Sequence, residues 1–372
     1  MKLEIKRNIL LNPGPATTSD AVKRALVVPD ICPREKEFGD LLAGICTDLP
    51  AIVHGDSEYL SVLFTASGTG GLEAAVTSAI PKNGKLMVIE NGAYGKRIQN
   101  IAQTYKIPTT SYSLEYGSYP DLSEVERMLK QDPEISHLAV VHHETTTGML
   151  NPVGEICQLA HRYNVEVIID AMSSFAGIPI NIRDWNAEYL ISSSNKCIQG
   201  MPGLVFVIFR KDLLAGLKEN QRSFYFDMFT QFTGFHKTGQ MPYTPPVQIV
   251  YSLRKAIDEY FSETEIGRWD RYRTNWETLY SGLLKLGFKF LLPLEQQSKI
   301  LLAVLDPVDS KFSFQEMHDY LYQRGFTIYP GKGASKKTFR LAIIGDLYQE
   351  DIENFLVTLK EYIDLNDLKI SD

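Results

Sequence analysis

Cysteine is scarce. The 372 residues hold four, Cys32, Cys46, Cys157 and Cys197, widely spaced, with no CxxC pair and no Cys/His cluster. Neither a disulfide scaffold nor a zinc site is expected from that spacing. Long hydrophobic runs are missing too: none approaches the roughly 20 residues that cross a bilayer. The opening MKLEIKRNILLNPGP has no long apolar stretch followed by a small-residue cleavage pattern, so no secretion signal is expected. Basic charge is in the minority, 38 Lys and Arg against 45 Asp and Glu, a net charge of −7. That disfavours nonspecific nucleic-acid binding, although a local basic site remains open. Repeats and low-complexity tracts are also lacking. The default expectation is a protein of the reducing cytoplasm, with no membrane and no nucleic acid among its partners.

The composition that remains is ordinary for a globular protein, 44% hydrophobic and 22% charged. The length is long for one core, so a large and a small domain are expected. Residues 1–14 read as an extended arm, because Asn12-Pro13-Gly14-Pro15 cannot be helical; Thr17 to Asp20 then supplies a helix cap. A helix follows over 36–53. From 59 onward short apolar strands alternate with helices: strands at 59–65, 85–90, 109–113, 138–142, 165–169, 189–192 and 204–209. That alternation predicts an α/β fold, a mainly parallel sheet of about seven strands covered by helices on both faces. The helix after the first strand is expected over 72–79, with 66–71 as a loose glycine turn. A helix over 123–131 is expected to be capped by Ser123. Residues 210–245 read as a long aromatic loop, and 247–286 as one long helix. The remainder is a small α+β domain. The expected division is 15–255 for the large domain and 256–372 for the small one.

In open parallel sheets, ligands sit at the carboxyl ends of the strands. The first strand delivers Ser67-Gly68-Thr69 at a helix start, where backbone N–H groups and hydroxyls suit an anion. The second delivers Tyr94 between Gly92 and Gly95, an aromatic that can lie on a planar ring. The fourth delivers His142-His143-Glu144-Thr145. Adjacent histidines in a strand point to opposite faces, so no metal site is expected, and Thr145 is the better ligand contact. The fifth ends on Asp170 and the sixth runs through Ser192-Ser193-Ser194-Asn195 to Lys196. Singly, each has an ordinary reading: a plain turn, a core tyrosine, a strand-end acid, a solvated lysine. Together, in this order, they match the needs of pyridoxal phosphate: an anion cradle, a stacking ring, a carboxylate for the pyridine nitrogen and an amine for the aldehyde.

The chain resembles a class V aminotransferase of the aspartate-aminotransferase superfamily (fold type I). The resemblance runs through NPGPATTSD (12–20), DICPREKEFG (30–39), LFTASGTGGLEA (63–74), NGAYGKR (91–97), HHETTTGMLNP (142–152), IIDAMSSFAGIP (168–179) and YLISSSNKCIQGMPG (189–203). It covers essentially the whole chain, most strongly 8–205. It implies that Lys196 is the Schiff-base lysine and Asp170 the pyridinium partner. Tyr94 would stack on the cofactor, Ser67, Gly68 and Thr69 would hold its phosphate, and Thr145 would contact the ring hydroxyl region. Thr244 would reach the phosphate in a neighbouring subunit, which implies a homodimer with shared sites. Arg340 is similar to the family's substrate-anion arginine, its planar fork suiting a carboxylate or phosphonate. Backbone N–H groups near Gly14, and Arg34, are further candidates for that anion. The runs NPGPATT, DICPRE and SSSNKCIQGMPG narrow the expected reaction to amino transfer between 2-aminoethylphosphonate and pyruvate. The competing expectation is an alanine– or serine–glyoxylate reaction on the same scaffold. A desulfurase is excluded, because no cysteine follows Cys197.

Overall fold

The computed structural model describes residues 5–333 and 336–371. Its central sheet has seven strands: β1 (Tyr59–Thr65), β2 (Lys85–Glu90), β3 (Thr109–Ser113), β4 (Ile135–Val141), β5 (Glu166–Asp170), β6 (Tyr189–Ser193) and β7 (Leu204–Arg210). The spatial order is β1-β7-β6-β5-β4-β2-β3, parallel except that β7 runs against both its neighbours. Period-two side-chain geometry explains the near-continuous apolar runs. Leu138, Val140, Val167 and Ile169 enter the core on one face, while Ala139, Val141 and Ile168 enter the core on the other. Both faces are dry, so each strand must be apolar on both sides.

Three sequence expectations change. The helix after β1 begins at Gly68, not Leu72, and runs to Ala79. Gly70 and Gly71 are therefore helical, not a loose turn. A Cβ on Gly71 would come within 2.2 Å of Val205 Cγ2, so the glycine lets the helix lie directly on the sheet. The aromatic stretch 210–245 contains a helix, Met228–Thr238, whose N-cap Asp227 accepts from Thr230 N at 2.7 Å. The long helix is two, Val247–Glu263 and Glu265–Lys285, broken at Thr264, whose φ is +70°. Another detail also moves: Asp121, not Ser123, caps the helix Leu122–Gln131, its carboxylate accepting from Ser123 N at 2.9 Å. The helix starts one residue earlier than expected, so Ser123 lies inside it at the second position and supplies the amide that Asp121 caps.

The break at Thr264 separates two cores. The helix before it packs Val250, Leu253 and Ile257 with Phe38 and Leu42 of the large sheet's outer layer. The helix after it packs Tyr272, Trp276 and Leu279 with the strand Leu301–Leu305 and the closing helix Gln349–Leu365. That second core covers a three-stranded antiparallel sheet, in which Thr338–Ala342 lies between Leu301–Leu305 and Tyr329–Pro330. The arm forms a separate two-stranded sheet beside it: Ile9–Leu10 runs parallel to Phe326–Thr327. Among the described residues no helix is long and apolar enough to cross a membrane.

Candidate active site

The carboxyl ends of β1, β2, β4, β5 and β6 converge on a cavity of about 410 Å³ whose walls include Ser67, Tyr94, Thr145, Asp170 and Lys196. Asp170 closes β5. Its carboxylate is 2% exposed and accepts from Met172 N at 2.9 Å. Burial pushes its pKa up to about 6, and the nearby Glu144 carboxylate pushes the same way. A carboxylate in this position is costly unless a cation meets it.

Lys196 sits on the loop after β6, and the serines before it shape that loop. Ser194 Oγ donates to the carbonyl of Leu204 at 3.2 Å and also to Met201 O, while Gly200 N donates back to Ser194 O at 2.7 Å. The loop is thus folded on itself and fixed to β7. Burial lowers the Lys196 pKa to about 8; the Arg340 and Arg97 charges push down, against the opposing pull of Cys197 and Asp170. The ammonium donates to the carbonyl of Pro13 at 2.6 Å. Gly14 lies against the same side chain, with φ +117°, and a Cβ there would stand 2.3 Å from Nζ. Gly14 is required by close approach as well as by its backbone. The arm is held in this position from both sides: Ala16 N donates to Asn195 O, and Ala342 N of the small domain donates to Leu11 O, both at 3.0 Å.

The opposite end of the cavity is built for an anion. Ser67 is the N-cap of the helix Gly68–Ala79, yet its side chain makes no capping hydrogen bond and stays available. Arg97 Nη1 donates to Thr69 Oγ1 at 3.3 Å, and its guanidinium lies 4.8 Å from the Tyr94 ring centroid. Arg97 was not among the sequence candidates. Its signal was its place one helical turn after Tyr94, which puts both side chains on one face.

His143 is also part of the wall. Its Nδ1 meets Ser173 Oγ at 3.0 Å, and its buried Nε2 has no partner. Burial pushes its pKa down to about 3, so the ring is neutral. His142 points away, onto Ser174 Oγ at 2.9 Å and edge-on to Trp185, as alternation in a strand requires. No cluster of metal-ligating side chains exists among the described residues. Glu144, fully buried, accepts from Tyr94 N at 3.1 Å and Thr146 N at 2.9 Å. It holds the start of the helix that carries Tyr94 to the loop that carries Thr145.

Arg340 comes from the small domain, in the strand Thr338–Ala342. It is 5% exposed, and its Nε and Nη1 donate to the carbonyls of Pro330 at 3.0 Å and Thr145 at 3.4 Å. No carboxylate among the described residues pairs with it. Two sequence candidates do not reach this cavity within the chain. Arg34 is exposed and donates to Gln240 Oε1 at 3.0 Å and Met241 O at 3.4 Å. Thr244 is exposed on the same surface.

The donor set fits pyridoxal phosphate. A hydroxyl, a helix start and Arg97 converge at one end and need an anion. A buried unpaired carboxylate at the other needs a cation. An aromatic wall and an amine lie between them.

Residues 25–355 match the family described as aminotransferase class-V. The chain belongs to the class V aminotransferases. Members of this family depend on pyridoxal phosphate. The chain is 39% identical over 351 residues to a 2-aminoethylphosphonate–pyruvate transaminase of Bacillus cereus, covering 94% of this chain and 96% of that one. It is also 39% identical over 358 residues to a bifunctional phosphonoacetaldehyde hydrolase/aminoethylphosphonate transaminase of Clostridioides difficile, covering 95% of this chain and 56% of that one. Among solved class V-like structures, a ureidoglycine–glyoxylate aminotransferase of Bacillus subtilis superposes with a TM-score of 0.90 at 19% identity, over 100% of this chain and 96% of that one. A pyridoxamine–pyruvate aminotransferase of Mesorhizobium loti superposes at 0.88 with 22% identity, over the same shares. These two likenesses establish the fold.

Proposed function

We propose that this aminotransferase moves the amino group of 2-aminoethylphosphonate to pyruvate, giving phosphonoacetaldehyde and L-alanine. The observation that carries the reading is Arg340, a buried guanidinium without a carboxylate partner, held beside the cavity and close enough for its charge to be felt at Lys196. Both substrates are small anions, and a fork of N–H donors serves a phosphonate in one half of the cycle and a carboxylate in the other. The close relatives carry the same activity in their names.

Pyridoxal phosphate, when bound, supplies an aldehyde for amine exchange and an electron sink that acidifies the carbon bearing the amino group. Ser67, Gly68, Thr69 and Arg97 would hold its phosphate, and Tyr94 would cover its ring. Thr145 would meet the ring hydroxyl side. Asp170 would pair with the pyridine nitrogen, which would also remove the cost of an unpaired buried carboxylate. Lys196 would anchor the group and, once released, would take a proton from the substrate carbon and return it. A pKa of about 8 suits that task, because the amine both takes and returns a proton near neutral pH. Pro13 O and Gly14 then receive the released lysine: the carbonyl binds its ammonium, and the missing side chain leaves it room.

The proposal extends to a cytoplasmic homodimer. Thr244 is exposed and outside its own chain's cavity, and Arg34 lies on the same face. Nearby, Phe224 is 82% exposed, and Tyr225 and Tyr243 are stacked at 4.8 Å. This apolar face is where a second copy would dock, delivering Thr244 to the phosphate of the other site.

The test is alanine formation by purified protein loaded with cofactor. 2-Aminoethylphosphonate with pyruvate is expected to outperform every other amine. Turnover of alanine or serine with glyoxylate, and none of the phosphonate, would replace this reading with the glyoxylate reaction.

A further inference from the structure

Tyr94 is ringed by more positive charge than a singly charged carboxylate requires. Arg97 lies 4.8 Å from its ring centroid, and Arg340 is held within reach of its hydroxyl. A third cation, Lys332, stands with Nζ 5.4 Å from the same centroid. No carboxylate among the described residues pairs with any of the three. Arg97 belongs to the phosphate end of the cavity, through Thr69. Arg340 meets the carbonyl of Thr145 at 3.4 Å, and Lys332 follows the strand Tyr329–Pro330 that pairs with Arg340's own strand.

The place of Lys332 is fixed by the backbone around it. It lies between Gly331 and Gly333, directly after the strand Tyr329–Pro330, which pairs with the strand carrying Arg340. Gly331 N donates to Thr338 O at 2.7 Å, and a Cβ on Gly331 would come within 2.3 Å of Thr338 Oγ1. Gly333 has φ +73°, and a Cβ there would stand 2.9 Å from the Tyr116 ring. The two glycines press the turn against Thr338 on one side and Tyr116 on the other. Lys332 is consequently presented over Tyr94 while its amine stays in water, as a long side chain on a cavity rim does.

We infer that Lys332 is a specificity-determining residue: together with Arg340 it grades substrates by charge, favouring a doubly ionised phosphonate over a singly ionised carboxylate. The inference rests on the proposed reaction and sharpens it. A phosphonate, like a phosphate ester, loses its second proton near neutral pH and carries three acceptor oxygens. Arg340 engages two oxygens as a fork. The third oxygen and the second negative charge are left for a point charge with free donors, which is what an ammonium supplies. Pyruvate, with two carboxylate oxygens and one charge, is satisfied by Arg340 alone.

The test compares Lys332→Met and Lys332→Arg with the unaltered holoenzyme. Lys332→Met is expected to raise KM for 2-aminoethylphosphonate about tenfold and KM for pyruvate about twofold or less, because the lost charge pair belongs to one substrate. kcat is expected to hold, and Lys332→Arg is expected to restore most of the selectivity. Calorimetric binding of unreactive ethylphosphonate and propionate to the same holoenzymes should show the same split. Equal shifts for both anions, or no shift for either, would overturn the inference and leave Lys332 a solvated surface lysine. If the unaltered enzyme makes no alanine from 2-aminoethylphosphonate, the proposed reaction fails, and the ethylphosphonate–propionate comparison still decides the role of Lys332.

Discussion

The floor and the rim of the cavity are built on opposite electrostatic principles. On the floor, Asp170 and His143 are buried and Lys196 is half-buried, and desolvation drives each toward its neutral form. On the rim, Arg97, Arg340 and Lys332 lack carboxylate partners among the described residues. Groups that must exchange protons are placed where desolvation tunes them. Groups that must hold a fixed anion are guanidinium or ammonium ions, which do not titrate in the working range. The floor comes from the large sheet. Arg340 and Lys332, on the rim, come from the segment of the second core's antiparallel sheet.

The largest effect is expected on the floor. Lys196→Ala removes the proposed anchor and proton carrier, so alanine formation should fall by at least about 10⁴-fold, the upper range for a general acid–base group. Turnover near the original rate would break the assignment. On the rim, Arg340→Met should lower kcat/KM for both substrates by about 10²-fold. A change confined to kcat, with unaltered KM for both, would move Arg340 out of substrate binding. The arm is expected to come next. Gly14→Ala puts a methyl where Nζ now lies and forces alanine to φ +117°. Strain of this kind costs roughly 1–3 kcal/mol, so steady-state turnover should drop about tenfold or more, with Lys196 labelling altered. Unchanged activity and unchanged labelling would show that the arm yields freely.

Two subtler outcomes follow from the displaced pKa values. Asp170 has a folded pKa of about 6 against the ordinary 3.8. Between those values the folded protein binds more protons than the unfolded chain, so without cofactor it gains stability as pH falls through about 6. Above that pH the ionised group costs on the order of 3 kcal/mol. Asp170→Asn should therefore raise the melting temperature of the cofactor-free protein at pH 7 while suppressing turnover. A lower melting temperature would mean that the carboxylate is satisfied by its surroundings. For Lys196, labelling by an amine-reactive reagent should rise through pH 8 and level off above it, well before an ordinary lysine. A midpoint near 10.5 would contradict the burial of its amine.

The same contrast explains what was legible. Asp170 could be read because it follows an apolar run directly, and Lys196 because a short polar run carries it past the end of the next strand, where ligands bind in a parallel sheet; His143 was not singled out. The serines before Lys196 were legible as well, and the structure adds their reason: Ser194 fastens the loop to Leu204 and Met201. The helix at Gly68 was misjudged because glycine argues against helix locally, whereas close contact with Val205 favours it. The break at Thr264 was missed because both flanking segments have helical patterns, and only their packing on two separate cores shows the division.

Residue order alone determined the sheet, the sequence of strand ends and the pairing of Asp170 with Lys196 in one pocket. Periodicity is a local property, and parallel strands bring their ends together. Tertiary structure decided what surrounds that pair: Pro13 and Gly14 against Lys196, Arg97 beside Thr69, and Arg340 and Lys332 over the mouth. The contacts of Lys196 with Pro13 and of Arg340 with Thr145 join residues more than 180 apart in the chain, and no short-range pattern encodes a distance of that kind.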